Sequence, residues 1–126
     1  TILFTASISA LLAVALGAFG AHGLEKSLSE DALGNWDVGV RYQFYHSLAM
    51  FAVLILAKVY DNPKALRSAW LFFMGIICFS GSLYLLSTKT LTGINGSWVG
   101  PITPFGGLLF MAGWLLFLWD MRRVVR

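Results

Sequence analysis

Residues 2–23 read ILFTASISALLAVALGAFGAHG, and no charged side chain interrupts this run before the imidazole of His22. A helix of roughly 20 apolar residues is what crosses the hydrocarbon of a bilayer, so the run is expected to be a retained span rather than a cleaved leader. Ser9, Ala13, Gly17 and Ala21 fall four apart and predict a packing face, because small residues let helix backbones approach closely in lipid. The closing stretch, Gly17-Ala18-Phe19-Gly20-Ala21-His22-Gly23, sets a titratable ring between glycines where the apolar run stops.

The composition of the whole chain extends this reading. Of its 126 residues 58% are hydrophobic and 12% charged, against about 25% charged in soluble domains. A chain of this length has room for four spans with short connections. The expected architecture is all-α, a single four-helix transmembrane bundle over 1–126 with helices at about 2–22, 40–60, 65–88 and 104–121. The net charge of +3 comes from scattered Lys and Arg at segment ends, which gives no support to nucleic-acid binding. The single cysteine, Cys78, sits inside an apolar run and reads as a packing residue.

Between the first two spans, Leu24, Leu28, Ala32 and Trp36 recur four apart among Glu25, Lys26, Glu30, Asp31 and Asp37. This pattern predicts a short interfacial helix anchored by Trp36, with Gly34-Asn35 turning the chain back; a disordered loop is the alternative. Arg41-Tyr42-Gln43-Phe44-Tyr45-His46-Ser47 then opens the second span, which Asp61-Asn62-Pro63-Lys64 ends. The third span carries Gly75 and Cys78 on a small-residue face with Ser82, and closes with Ser80-Gly81-Ser82-Leu83-Tyr84 in its last third. In Pro101-Ile102-Thr103-Pro104-Phe105-Gly106-Gly107, Thr103 is the expected N-cap of the fourth span and Pro104 its first residue.

Lys58, Lys64, Arg67, Arg122, Arg123 and Arg126 lie at one set of span ends, and Lys26, Arg41 and Lys89 at the other. Under the positive-inside rule both termini face the cytoplasm. Alternating spans would then bring His22, Tyr42, Gln43, His46, Ser80, Ser82, Tyr84 and Thr103 into one outer polar layer. Three readings of that layer stay open. It is a hydrogen-bonded belt tying helix ends together, a pocket for a lipid head group, quinone or other small amphiphile, or a haem or metal site on His22 and His46. Two histidines without nearby Cys, Asp or Glu inside the spans make an incomplete metal site, and haem with two axial ligands is its stronger form. No carboxylate relay indicates a transporter or channel component, and no nucleophile elbow indicates a hydrolase.

Taken together, GAFGAHG, YQFYHSLA, FSGSLYLL and GPITPFGGLLFMAGW make the chain resemble the YgdD/YwdK-type family of small membrane proteins, domain of unknown function four-twenty-three. The resemblance covers all four spans in order. It carries the family motif onto Gly17, Gly20, His22, Gly23, Tyr42, Gln43, His46, Ser80, Gly81, Ser82, Tyr84, Thr103, Pro104, Gly106, Gly107 and Trp114. It implies a four-helix integral membrane protein without an established activity. The resulting expectation is a scaffold or accessory subunit of the bacterial inner membrane, with no predicted cofactor, in contact with lipids and open to a larger complex or homo-oligomer. Gly17, Gly20, Gly75, Gly81, Gly106 and Gly107 are its expected helix-packing positions.

Overall fold

The computed structural model describes residues 1–122 and 124; Arg123 and Arg126 of the basic tail lie outside them. Four helices are long and apolar enough to span a membrane: α1 Ile2–Leu24, α2 Glu30–Val59, α3 Pro63–Ser87 and α4 Ile102–Met121. The described residues contain no strand. α1 packs on α2 and α4 on α3, and α2 and α3 join the two pairs. The core between them is built from Ile2, Ala6, Ala49, Met50, Val53, Ala69, Phe72, Ile76 and Phe110.

The boundary between the first two spans departs from the expected one. Residues 30–39 are not a separate interfacial helix, and Gly34-Asn35 does not turn the chain; α2 runs unbroken for 30 residues. Ser29 caps it, its hydroxyl accepting from the Ala32 N–H at 3.3 Å, and Glu30 and Asp31 complement the positive end of the helix dipole. At 1.5 Å per residue α2 is about 45 Å long, so its first turns stand beyond the roughly 30 Å hydrocarbon layer. The exposed Asp37–Arg41 pair, 3.0 Å apart, lies in this N-terminal part of α2.

Tertiary contacts override the local turn signal. Trp36, expected as an interface anchor, is buried against α1 and donates through Nε1 to the Leu16 carbonyl at 2.9 Å. A Cβ on Gly20 would lie 2.6 Å from the indole, so this glycine makes the room. Trp36→Phe keeps a ring in place but removes the bond, and should lower bundle stability by about 1 kcal/mol in detergent unfolding. A loss no larger than that of exposed Trp98→Phe would contradict the seating described.

α1 buries Ile2, Ala6, Ser9, Ala13, Gly20 and Leu24, while Ala21 is exposed. A strict fourfold spacing drifts around a 3.6-residue helix, whereas steps of three and four alternate back to one face. Near its end α1 widens into a π-turn over Gly20–Leu24, and α3 has another over Ile76–Ser80.

The α3–α4 contact is an interlocking of glycines and phenylalanines. A Cβ on Gly75 would meet the Phe110 ring at 2.5 Å, one on Gly113 the Phe72 ring at 2.6 Å, and one on Gly106 the backbone of Phe79, with Cα at 2.7 Å. The residue numbers in each pair add to one constant, as an antiparallel pair in fixed register requires. Gly17 is close to Val40 at 3.2 Å, Gly107 only grazes Phe79 at 3.9 Å, and nothing lies within 4 Å of a Cβ on Gly81. Gly81 is therefore not a packing glycine.

Two helix ends are set by backbone chemistry. α2 closes in a Schellman-type motif, with Asn62 N–H to the Ala57 carbonyl at 2.8 Å, Asp61 N–H to the Lys58 carbonyl at 3.4 Å, and Asp61 itself at φ 48°. α4 starts at Ile102, so Thr103 lies inside the first turn rather than capping it. Pro104 is tolerated there because first-turn N–H groups have no intrahelical acceptor.

Candidate functional site

The predicted polar residues do not converge on a single outer layer. Because α2 begins well before residue 40, Tyr42, Gln43 and His46 lie well along the helix. His46 packs against Phe110 and Trp114, which lie eight and twelve residues past the start of α4, about 12–18 Å from its N-terminal end. That is the middle of the 20-residue span α4, not its end.

Four separate groups result. The first joins α1, α2 and α3. Gln43 Nε2 donates to the Ser9 carbonyl at 2.9 Å, and the Tyr84 hydroxyl donates to Gln43 Oε1 at 2.7 Å. Ser47 Oγ stands 2.7 Å from the Gln43 carbonyl and 2.8 Å from Ser9 Oγ. Ser47 is the donor in both contacts, its one hydroxyl proton shared between the carbonyl and the Ser9 hydroxyl oxygen. Glutamine here reads both polar ends of its amide, one toward each neighbouring helix.

The second group is an aromatic box around His46. Its Nδ1 is 2.8 Å from the Tyr42 carbonyl, which makes Nδ1 the protonated nitrogen, and Nε2 accepts from Trp114 Nε1 at 3.3 Å. The ring lies nearly parallel to Phe110 with centroids 3.6 Å apart, and the Tyr42 ring lies beside both, 5.9 Å from the imidazole and 6.0 Å from Phe110. The third and fourth groups are single interhelical ties. Ser80 donates to the Gly39 carbonyl at 2.7 Å, and Ser82 and Thr103 share a hydrogen bond of 2.6 Å. Since Ser82 also stands 2.9 Å from the Phe79 carbonyl, Thr103 is the donor between the two hydroxyls.

His22 joins none of these groups. It is exposed on the π-turn next to Gly20, and Gly20 abuts Trp36, which lies ten residues before His46 or about 15 Å along α2. The two imidazoles are not brought together to form a bis-histidine haem or metal pair within one chain. Among the described residues no group of three or more His, Cys, Asp or Glu is placed to hold a metal.

The first group also borders open space. A cleft of about 570 Å³ runs between α1 and α3, lined by Thr5, Ile8, Ser9, Leu12 and Leu16 on one side and Phe73, Ile76, Ile77, Gly81 and Tyr84 on the other, with Gln43 at its back. The size lies within the range of small-molecule sites, about 300–1,000 Å³. The absent side chain of Gly81 helps to keep it open. Tyr42 and His46 border a second recess of about 450 Å³ between α2 and α4, whose walls are otherwise Phe79, Pro104, Gly107, Leu108, Phe110, Met111 and Trp114.

Sequence reasoning missed several partners. Ser9 read only as a small residue, yet its carbonyl and hydroxyl anchor Gln43 and Ser47. Trp36 reads as an interface anchor and Trp114 only as a family-motif position, yet each donates an indole hydrogen bond to a neighbouring helix. At the opposite end of the bundle, Asp120 takes both of its carboxylate contacts from Arg67 Nη2, at 3.0 and 3.1 Å. A lone acidic residue closing an apolar span was the available signal for that pair.

A family model described as "Protein of unknown function (DUF423)" matches residues 16–107, from the residue before Gly17 to Gly107. UPF0382 membrane protein YwdK of Bacillus subtilis is 45% identical over 113 residues, covering 89% of this chain and 88% of its own length. A UPF0382 membrane protein of Staphylococcus saprophyticus is 44% identical over 112 residues, 89% of this chain and 88% of its own. One from Haemophilus influenzae is 43% identical over 109 residues, 86% of this chain and 83% of its own. No solved structure matches the chain. With four apolar helices and relatives of this extent, the chain is a membrane protein and belongs to the DUF423 family of proteins of unknown function.

Proposed function

We propose that the protein is a non-enzymatic scaffold of the bacterial plasma membrane that holds one lipid-like amphiphile in the cleft between α1 and α3. The observation that carries this reading is the polar edge: Gln43 and Tyr84 border a cleft whose other walls are almost entirely apolar. Lipid tails surround the bundle already, so an apolar cleft alone gains little by capturing another chain. A polar edge inside the hydrocarbon does discriminate, because a ligand carrying a hydroxyl or carbonyl can meet the second amide proton of Gln43, which an ordinary tail cannot. The remaining polar ties, Ser80 to Gly39 and Ser82 to Thr103, act as structural joints that hold α3 between its neighbours. The excess of basic residues near the α2–α3 turn and the C-terminal tail supports a cytoplasmic location for both termini under the positive-inside rule.

Gly81 provides the test. Gly81→Leu puts a side chain into the cleft without meeting any neighbour at Cβ, so the bundle should fold. Gly34→Leu is the control, since that glycine is equally unobstructed but lies far from the cleft. Lipid retained through detergent purification and measured by mass spectrometry should fall about tenfold in Gly81→Leu and stay unchanged in Gly34→Leu. Equal retention in the wild-type protein and Gly81→Leu would overturn the reading.

A further inference from the structure

We propose that the end of the bundle opposite the Trp36 seat carries a site for the phosphodiester head group of an anionic phospholipid. It is independent of the α1–α3 cleft. The α2–α3 turn and the last turn of α4 enclose a polar cleft of about 570 Å³. Lys64, Arg67 and Arg122 border it, against the carboxylates of Asp61 and Asp120.

The Asp120 charge is already committed. Its side chain is 7% exposed and is held by Arg67, whose Nε also donates to the Lys64 carbonyl at 3.0 Å. Asn62 Nδ2 fixes the same turn by donating to the Asp120 backbone carbonyl at 2.9 Å. Arg67 is thereby locked in position, and Nη1 makes no hydrogen bond among the described residues. The Arg122 guanidinium lies 3.4 Å over the Trp119 ring, which orients it at the membrane surface. Tyr60 and Trp119, both at least half exposed, flank the cleft as interfacial aromatics do.

A phosphodiester supplies the charge and the acceptor oxygens that two oriented guanidinium groups and a lysine can meet, with its glycerol and acyl chains running along the adjoining spans. A zwitterionic lipid carries the same phosphate but brings a cation into a site that is already basic. Discrimination between the two head groups is therefore the expected signature.

The test uses the full chain in a neutral detergent, titrated with phosphatidylglycerol or phosphatidylcholine and followed by native mass spectrometry. Phosphatidylglycerol should bind about tenfold more tightly, a preference that shrinks as added salt shortens the Debye length. The double variant Lys64→Glu/Arg122→Glu should abolish the preference, and Lys26→Glu/Lys89→Glu at the opposite end should keep it. If the first pair fails to fold, Lys64→Gln/Arg122→Gln replaces it with the same expected loss. Equal binding of the two lipids by the wild-type protein, a preference insensitive to salt, or one that survives both Lys64/Arg122 variants would overturn the proposal.

Discussion

Gly106→Ala is expected to disrupt the α3–α4 pair more than any other single methyl addition in the chain. Its new Cβ would lie 2.7 Å from the Cα of Phe79 and closer still to the Phe79 nitrogen. Elsewhere, as at Gly75 or Gly113, the obstruction is a phenyl ring that can tilt; here it is backbone, and the whole helix must move. Moving α4 would also pull Phe110 out of its seat at Gly75 and part Thr103 from Ser82. Overpacking in a tight core costs about 1–3 kcal/mol, and this substitution should reach or exceed the upper end. Gly107→Ala, whose nearest contact is at 3.9 Å, should be near neutral in the same detergent-unfolding measurement. Equal midpoints for the two variants would refute the interlocked register.

Gln43→Leu should be the most damaging substitution among the polar residues. It preserves volume but leaves the Tyr84 hydroxyl without its acceptor and the Ser9 carbonyl without its side-chain donor. Losing partners for groups held away from water costs about 1–3 kcal/mol in total. Tyr84→Phe alone should cost less, since it removes the hydroxyl together with its need for a partner and leaves only one amide oxygen unpaired. In the double variant the two losses should not add, with a coupling of about 0.6–1.7 kcal/mol, the range of interhelical hydrogen bonds in lipid. Strict additivity would mean that the 2.7 Å bond between Tyr84 and Gln43 contributes nothing to holding α3 on α2.

The four spans were legible because hydrocarbon imposes a rule that composition alone can express: long uncharged runs separated by turns. The glycine signals were partly legible for a related reason. Gly75 and Gly106 marked close helix approach, but nothing in the pattern distinguished them from Gly81, which faces open space. A missing side chain reads the same in sequence whether it admits a neighbour or leaves a hole. The polar residues were legible as a set and misread as a layer, because their depth depends on where α2 begins. Gly34-Asn35 suggested a turn, and the helix passed straight through it since Trp36 and Gly39 find partners on α1 and α3 only if the backbone stays helical.

Residue type and spacing were thus enough to determine that this protein lives in a membrane as four helices, and that His, Gln, Tyr and Ser side chains within them need partners. Which partners they take was decided by tertiary structure. Gln43 and His46 stand three residues apart on one helix, yet one faces Ser9 and Tyr84 while the other lies between Phe110 and Trp114. A helical turn rotates neighbouring side chains toward different helices, and only the packing register of those helices says what waits there.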